Sequence, residues 1–563
     1  MGAVGVDEDA KRVGTRVPVR VGLGSINATV RDDATPVQAY LNNLRIVTEV
    51  LDKAGIPYFC RPTKSTGSSV VVTIEHQDQA IQLLQRRMHK IGYAIVVQQP
   101  RKHSNLTMGL NLPTTQTNIR VFEAITSPSR TWVLGEPWSC DVEFWREGAN
   151  DQLIGAAPDS RASMMPVEEP DVEVPAWQLS HHVPRTDDAP RFRSRAPFAR
   201  NGLDRVAFPI DAVFTWVDGS DPEWQARKQA AMGAHSDELH RMAANNSRYA
   251  SRDELRYALR SIVCNAPWIR RIFVVTDDQA PPWLDLKSDS VTIVRHRDIF
   301  GDVGKLPTFN SHAIESRLHH IPDLAEHFIY LNDDMFIGRP LTPAKFFHTN
   351  GMARYFPSPA AMDPRPAILA DMPVTAAGKN NRRIIEDRFG FTITQKMRHT
   401  PYPLLRSVME EIERELPDEV LGTAAHQFRS PKDLSIPSSL AHYWAYLTHR
   451  AVPGTVSHMY ADVAHVDTPA RLSLMLAQRK VDIFCLNDTD SDDPDGTQAT
   501  MMAEFLPMYF PFRAPFELPD DEIARHSHIS ATELLRSATE PADAAALALP
   551  PLPNQRDTTA LTS

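Results

Sequence analysis

Residues 328–334, which read Phe-Ile-Tyr-Leu-Asn-Asp-Asp, decide the fold of the central part of this chain. Their apolar start is typical of a short strand buried on both faces, and the run ends abruptly in polar groups. Similar apolar runs occur at residues 212–217, 272–276 and 291–294, with helical patterns between them. Strands that alternate with helices predict an α/β fold with a Rossmann-like, mostly parallel sheet and helical additions.

Acidic side chains follow two of these runs. Asp333 and Asp334 come directly after the first, and Asp218 and Asp221 lie in the turn after the second. Ligands bind at the carboxyl ends of parallel strands, and adjacent carboxylates there suit a hard divalent ion, which takes oxygen ligands. The alternatives are a solvated turn with a helix cap at the first pair and a simple Asp-Gly turn at Asp218. The apolar run that resumes at Met335 disfavours the solvated turn.

Four further side chains suit phosphate or proton chemistry. Ser311 and Glu315 are four residues apart in a helix predicted over residues 310–320, so they share one face. A solvated helix face is the alternative, and spacing alone favours it. Arg429 carries a guanidinium that can grip phosphate oxygens at two points, and residue 399 is a histidine, the side-chain type most often used for proton transfer. Since a lone histidine is more often structural than catalytic, the residues alone leave His399 open.

Composition and motif content exclude several classes of protein. With 60 basic and 70 acidic residues, the chain lacks the basic surplus of a nucleic-acid binder. The four cysteines are widely separated, which predicts neither a zinc site nor a disulfide framework. P-loop, nucleophile-elbow and HExxH motifs are missing, and the acidic run at residues 487–496 lacks the register of a calcium loop.

No signal peptide or membrane-spanning run is visible in the sequence. We therefore expect a cytoplasmic protein. Peripheral contact with the inner face of the membrane or with a capsule-assembly complex stays open, as does homo-oligomerisation.

The distribution of the 45 prolines among 563 residues indicates where folded units end. Prolines accumulate between residues 155 and 208 and again near the C-terminus, as in linkers and disordered tails. In chain order we expect an N-terminal tail at 1–35, a small α/β accessory domain at 36–154, a Pro-rich linker or strap at 155–208, the main α/β domain at 209–520, and a C-terminal helix with a disordered tail at 521–563.

Four blocks of the central region occur in the order that one known family shows. They contain Trp-Val-Asp-Gly-Ser-Asp-Pro, then Leu-Asn-Asp-Asp, then Met-Arg-His-Thr-Pro, and finally Cys-Leu-Asn-Asp. In these blocks the chain resembles the Stealth family, the bacterial capsular and exopolysaccharide sugar-phosphate transferases that are related to the animal lysosomal-enzyme GlcNAc-1-phosphotransferase. The N-terminal domain and the C-terminal tail lie outside the resemblance.

The resemblance implies that residues 209–520 form a catalytic domain. The implied reaction transfers a hexose-1-phosphate, often GlcNAc-1-phosphate, from a UDP-sugar to a hydroxyl of a polysaccharide acceptor in capsule or exopolysaccharide synthesis, and UMP leaves. The implied catalytic residues are Asp218, Glu315, Asp334, His399 and Arg429. The residues expected to bind substrate are Trp216, Asp221, Arg252, Arg256, Ser311, His442, Asn487 and Asp488. A metal, Mg²⁺ or Mn²⁺, is implied at Asp333 and Asp334.

On this interpretation the metal neutralises the diphosphate and Arg429 holds a non-bridging phosphate oxygen. Either His399 or Glu315 accepts the proton of the acceptor hydroxyl. One alternative is a metal-dependent glycosyltransferase, which would release UDP instead of UMP. The other is a non-catalytic scaffold of polysaccharide assembly.

Overall fold

The computed structural model describes residues 14–21, 24–97, 118–155, 164–233, 249, 251–368, 370–487, 493 and 496–539. Its fold is mixed α/β, with several sheets that contain both parallel and antiparallel strands, so the predicted class is confirmed at this level. Asp488, residues 1–13 of the predicted tail and residues 540–563 lie outside the described residues. Among the described residues, no helix has both the length and the apolar character needed to cross a membrane.

The elements before residue 200 are, in chain order, β1 (Arg16–Val21), β2 (Gly24–Val30), α1 (Pro36–Lys53), β3 (Tyr58–Arg61), β4 (Ser68–Thr73), α2 (Gln77–Ile91), β5 (Ala94–Val97), β6 (Asn118–Phe122), β7 (Ile125–Thr126), β8 (Val133–Leu134), β9 (Cys140–Glu147), β10 (Gln152–Ile154), β11 (Met164–Pro166), β12 (Asp171–Pro175), α3 (Ala176–Leu179) and β13 (Arg191–Arg195).

One seven-stranded sheet organises this N-terminal part. Its path runs β11-β10-β9-β4-β3, with β6 also paired to β9 and β5 paired to β6. Helix α1 begins with a reciprocal cap, because Thr35 Oγ1 accepts from the Gln38 backbone amide and the Gln38 side chain accepts from the Thr35 amide. Its apolar face is buried in an N-terminal core that includes residues of β3, β4 and β9.

The later elements are, in chain order, β14 (Ile210–Thr215), α4 (Pro222–Gly233), α5 (Glu254–Asn265), β15 (Ile272–Thr276), β16 (Val291–Arg295), α6 (His296–Phe300), α7 (Ser311–Glu315), β17 (His327–Asn332), β18 (Met335–Ile337), β19 (Ala353–Tyr355), β20 (Pro357–Ala361), α8 (Pro373–Phe389), β21 (Gln395–Met397), β22 (Tyr402–Leu405), α9 (Arg406–Glu415), α10 (Pro417–Ala425), α11 (Ala441–Leu447), β23 (Ala451–Pro453), β24 (His458–Asp462), α12 (Thr468–Gln478), β25 (Ile483–Asn487), α13 (Thr497–Tyr509), α14 (Asp520–His526) and α15 (Ala531–Thr539).

A five-stranded sheet in the order β16-β15-β14-β17-β22 forms the centre of this part. The first four strands are parallel, and β22 runs antiparallel beside β17. The chain moves outward from β14 to β15 and β16 and then returns to place β17 on the other side of β14. This reversal puts the carboxyl ends of β14 and β17 side by side, which is the position at which open α/β sheets bind ligands.

A second, three-stranded sheet continues from the end of β17. After the turn at Asp333 and Asp334, β18 pairs antiparallel with β25, so that Met335 lies opposite Cys485. Strand β24 then runs parallel to β25. This pairing brings chain from about 150 residues later in the sequence directly against the Asp333–Asp334 turn.

Three contacts tie distant parts of the chain to the central region. Phe512 is 1% exposed and lies in the N-terminal core, with its ring centroid 5.6 Å from that of Trp132. Next to it, the Arg513 guanidinium is 3.0 Å from the Asp32 carboxylate. At the C-terminus, α15 is held by Ala531, whose carbonyl accepts from the Ala280 amide at 2.9 Å.

The helix predicted over residues 310–320 is shorter in the structure. Helix α7 ends at Glu315 and is followed by a separate tight turn at Leu318–His320. At the break, the Ser316 hydroxyl donates back to the Ala313 carbonyl at 2.8 Å, a side-chain bond that competes with continued helix. Ser311 and Glu315 still occupy the first and last positions of one short helix.

Candidate active site

The site is built around the turn that joins β17 to β18. Asp334 Oδ2 accepts a hydrogen bond from the Cys485 thiol at 3.1 Å and lies 3.6 Å from His399 Nε2. The other oxygen, Oδ1, is buried and has no hydrogen-bond partner among the described residues. Because buried polar atoms are nearly always paired, this oxygen marks a position for a cation or a donor from a ligand.

Two more carboxyl groups share the electrostatic environment of Asp334. Burial and the nearby charges of Glu254 and Asp334 raise the pKa of Asp333 well above its usual range. Burial likewise raises the pKa of Glu254, with a further contribution from Asp334. Glu254 is the first residue of α5 and was not predicted as a site residue, although it lies in the second block of the family resemblance. Three mutually repelling acids are the arrangement that a bound divalent cation relieves.

The donor set decides which kind of ion fits. Burial and the charge of Asp334 raise the pKa of the Cys485 thiol well above its usual range, so it stays protonated and donates to Asp334. The groups left to bind an ion are therefore carboxylate oxygens, with His399 beside them. Oxygen ligands are those that Mg²⁺ and Mn²⁺ prefer, and the residues present fit the ion that the resemblance implies.

An anion-binding corner lies at the start of α7. The Arg429 guanidinium donates from Nη2 to Ser311 Oγ at 2.7 Å. Its other terminal nitrogen, Nη1, is buried and has no hydrogen-bond partner among the described residues. A guanidinium with one free, desolvated edge is suited to hold a phosphate oxygen.

Asp433 holds this corner together. This fully buried carboxylate accepts from the Ser430 amide at 2.9 Å, from Asn310 Nδ2 at 2.9 Å and from His426 Nδ1 at 2.7 Å, and it lies 3.3 Å from His312 Nδ1. Asn310 caps α7 by accepting from the His312 amide. Asp433 thus fixes the start of α7 to the loop of Arg429. No signal in the sequence distinguished it.

Glu315 is the last residue of α7, at the end opposite Ser311. Burial raises the pKa of its carboxyl group, although His312 and Arg429 act in the opposite direction. Its oxygens accept from Tyr330 Oη at 3.3 Å and from Ser438 Oγ at 3.4 Å. A buried carboxyl with a raised pKa is a stronger base than an exposed one, which suits a general base.

Two tyrosines connect the Glu315 side of the site to the His399 side. The rings of Tyr330 on β17 and Tyr402 on β22 stack with their centroids 6.1 Å apart. Tyr330 Oη faces Glu315, and Tyr402 Oη lies 3.3 Å from His399 Nδ1. The antiparallel pairing of β17 with β22 therefore places both candidate bases on one surface.

The turn after β14 is shaped by the predicted residues Asp218 and Asp221. Asp218 Oδ1 accepts from the backbone amide and hydroxyl of Ser220. Asp221 is almost fully buried. One of its carboxylate oxygens caps α4, and the other accepts from the amide and hydroxyl of Thr532. Trp216 is also buried. Asp221 is thus a structural residue that fixes α15, and its carboxylate is committed to protein donors.

The two predicted arginines near α5 differ in their surroundings. Arg256 and Arg260 both donate to the fully buried Glu517 carboxylate, at 2.6–2.7 Å. Arg256 is therefore committed to a buried ion network. Arg252 lies 4.0 Å from Glu254, which places it next to the acidic cluster.

The remaining predicted residues lie around the His399 side. His442 is buried between the rings of Tyr355 and Tyr402, and burial lowers its pKa to about 3, so its ring is neutral. Asn487, the last residue of β25, donates from Nδ2 to Tyr460 Oη. The Tyr460 ring in turn lies 6.2 Å from the His399 ring.

Comparison with known proteins identifies the family to which this chain belongs. Four family models match the chain, for Stealth protein CR1, conserved region 1, at residues 208–236, CR2 at 248–355, CR3 at 398–446 and CR4 at 474–528. An exopolysaccharide phosphotransferase of Streptomyces coelicolor is 44% identical over 521 residues, which are 90% of this chain and 87% of that protein. The chain belongs to the Stealth family. The predicted resemblance is thereby confirmed.

More distant members cover the chain equally well. A second exopolysaccharide phosphotransferase of Streptomyces coelicolor is 40% identical over 90% of this chain and 88% of its own length. The exopolysaccharide phosphotransferase CpsY of Mycobacterium tuberculosis is 35% identical over 88% of this chain and 92% of its own length. All four Stealth regions supply residues to the site: region 1 the Asp218 turn, region 2 the acidic cluster and α7, region 3 His399 and Arg429, and region 4 Cys485.

Proposed function

We propose that this enzyme transfers a hexose-1-phosphate from a UDP-sugar to a hydroxyl of an exopolysaccharide acceptor and releases UMP. Membership of the Stealth family supports a phosphotransferase, and the named relatives act in exopolysaccharide synthesis. The choice of UDP-sugar, of GlcNAc-1-phosphate as the transferred group and of UMP as the product rests on the family resemblance.

The observation that carries the proposal is two buried polar atoms that have no hydrogen-bond partner among the described residues, one on Arg429 and one on Asp334. Arg429 Nη1 offers a desolvated cationic donor, and Asp334 Oδ1 offers a desolvated anionic acceptor. A diphosphate would offer an acceptor to the first atom, and its divalent counter-ion would offer a partner to the second. The strand order around β14 also supports our description of this sheet as Rossmann-like, with its ligand crevice between β14 and β17.

The reaction requires attack of the acceptor oxygen on the phosphorus that bears the sugar. The bond from this phosphorus to the bridging oxygen breaks, and its electron pair leaves with UMP. The acceptor proton passes to Glu315 or to His399, both of which face the tyrosine pair. Arg429, positioned by Ser311 and Asp433, holds a non-bridging oxygen of the reacting phosphate. A divalent ion bound by Asp333 and Asp334 would neutralise charge on the diphosphate.

The test identifies the nucleotide product. The full chain is incubated with Mg²⁺, individual UDP-sugars and oligosaccharide acceptors, and released UMP and UDP are separated by chromatography. UMP formed together with a phosphodiester-linked product supports the proposal, whereas UDP alone indicates a glycosyltransferase and overturns it. No turnover of any donor indicates the scaffold alternative. Arg429→Ala is expected to remove most of the UMP release. The control variant Asp467→Asn, at an exposed position, is expected to keep it.

The domain boundaries at residues 35, 154, 208 and 520, a cytoplasmic location, peripheral membrane contact and homo-oligomerisation stay predictions. The transferase class itself implies a sugar donor and a glycan acceptor as partners.

A further inference from the structure

A second cluster of potential metal ligands lies outside the site described above. It consists of His319 and His320, in the turn that follows α7, and of Glu413 near the end of α9. The ligand atoms of the three side chains all lie within 4.8 Å of one another. The two imidazole rings are neighbours, with centroids 4.2 Å apart.

The three side chains converge on one carboxylate oxygen. Both histidines direct Nε2 to the same oxygen of Glu413, Oε2, and for His320 this distance is 2.7 Å. The second oxygen, Oε1, is held separately by the Arg317 guanidinium at 2.5 Å. By holding Oε1, Arg317 orients the Glu413 carboxylate and leaves Oε2 directed at the histidines. Residues that hydrogen-bond to metal ligands orient those ligands in the same way.

The burial of the cluster suits a metal ion as well. The side chain of His319 is 2% exposed and that of His320 is 41% exposed, so the cluster lies at the surface with one open side. His319 Nδ1 is buried and has no hydrogen-bond partner among the described residues.

We propose that His319, His320 and Glu413 bind a borderline divalent transition-metal ion, with Zn²⁺ as the best match. Two imidazole nitrogens and one carboxylate oxygen are ligands that Zn²⁺ takes in a tetrahedral site, with water in the fourth position. Mg²⁺ and Ca²⁺ prefer oxygen ligands throughout and do not match this set.

The site would act as a clamp. It joins the chain directly after α7, which carries Ser311 and Glu315, to α9, which follows β22 without a gap. A bound ion cross-links these two segments and stabilises the folded chain by mass action. The proposal rests on this cluster alone and is independent of the reaction proposed above.

The experiment must separate this cluster from Asp334, His399 and Cys485, whose potential ligand atoms also lie within 4.8 Å of one another. The full chain is therefore prepared as Cys485→Ser, freed of metal with a chelator and kept in excess Mg²⁺. Zn²⁺ is then titrated in competition with a chromophoric chelator. His320→Ala is the test variant, because this side chain is partly exposed, and His465→Ala is the control, because His465 is an exposed histidine outside the cluster.

We expect one equivalent of Zn²⁺ to bind and to raise Tm in the Cys485→Ser protein and in its His465→Ala derivative. Adding His320→Ala should weaken binding by at least about 10- to 100-fold and remove the rise in Tm. Equal Zn²⁺ affinity with and without His320→Ala would overturn the proposal. Co²⁺ absorption of the cluster with its three ligands intact provides a check that does not depend on the folding of a variant. Visible d–d bands support the site, and a spectrum identical to that of free aqueous Co²⁺ contradicts it.

Discussion

Replacement of Asp433 by asparagine tests whether Asp433 positions the Arg429 guanidinium through the neighbouring Ser430. The amide keeps one oxygen for the Ser430 and Asn310 donors, but it puts an NH₂ group where Oδ1 accepts from His426 at 2.7 Å. The variant thus loses one charge-assisted hydrogen bond, which contributes about 1.5–3 kcal/mol to stability.

The effect on activity comes from geometry. Ser430, which Asp433 holds through its amide, is the immediate neighbour of Arg429, so a shift of this loop moves the guanidinium directly. Misplacement of a positioning group by about 1 Å costs up to about 100-fold in rate. We therefore expect Asp433→Asn to lower kcat for UMP release by about 10- to 100-fold, measured at a temperature well below its Tm.

Asp211→Asn is the matched control. Asp211 is equally buried, receives a bidentate bond from Arg270 at 2.6–2.8 Å and lies at the amino end of β14, away from the site. This variant should lose stability and keep its kcat. If Asp433→Asn keeps the wild-type kcat, or if both variants lose the same share of activity, the positioning argument is wrong.

The pH dependence of stability gives an independent check on Asp433. Although burial acts to raise it, hydrogen bonds from His312 and His426 lower the pKa of Asp433 below its usual value. A carboxyl whose folded pKa is depressed adds stability above its unfolded pKa of about 3.9, and this stability is lost as the pH falls through the folded pKa. Wild-type Tm should therefore fall more steeply below about pH 4 than the Tm of Asp433→Asn.

Three further predictions concern the acidic turn, the buried base candidate and the C-terminal helix. Asp334→Asn should lower kcat by at least about 100-fold and weaken Mg²⁺ activation, whereas Cys485→Ser should retain both, as measured by UMP release over a Mg²⁺ titration. Glu315→Gln should raise Tm at neutral pH, because the folded pKa of Glu315 is raised and its ionised form costs stability there; an unchanged or lower Tm would contradict this. Thr532→Val removes the buried hydroxyl that donates to Asp221 and should reduce the free energy of unfolding by about 1–3 kcal/mol in urea titrations without changing kcat.

Local sequence patterns predicted the strand that carries the site. The apolar run before Asp333 forms β17 and the acidic turn follows it, because both depend on residues next to one another in the chain. Helix α7 is shorter than predicted, since its end depends on a side-chain bond at Ser316 that the apolar spacing does not reveal.

Contacts between distant segments were beyond local patterns. Cys485 reaches Asp334 through the antiparallel pairing of β18 with β25, and Arg256 is neutralised by Glu517, 261 residues later in the sequence. In the same way, a lone aspartate such as Asp433 gives no local sign that four polar groups will converge on it. Family blocks bring such segments to attention, but only the folded chain shows which side chains are already committed to one another.

The burial of Phe512 inside the N-terminal core has a consequence for protein engineering. A fragment that ends before residue 209 would lack the Phe512 ring and have a cavity beside Trp132. A fragment that begins at residue 209 would expose Phe512 to water. Exchange of the N-terminal part between relatives should therefore succeed only when residues 512 and 513 travel with their partners Trp132 and Asp32. The N-terminal core is therefore completed by a side chain that lies about 380 residues after Trp132 in the sequence, so neither part keeps its packing without the other.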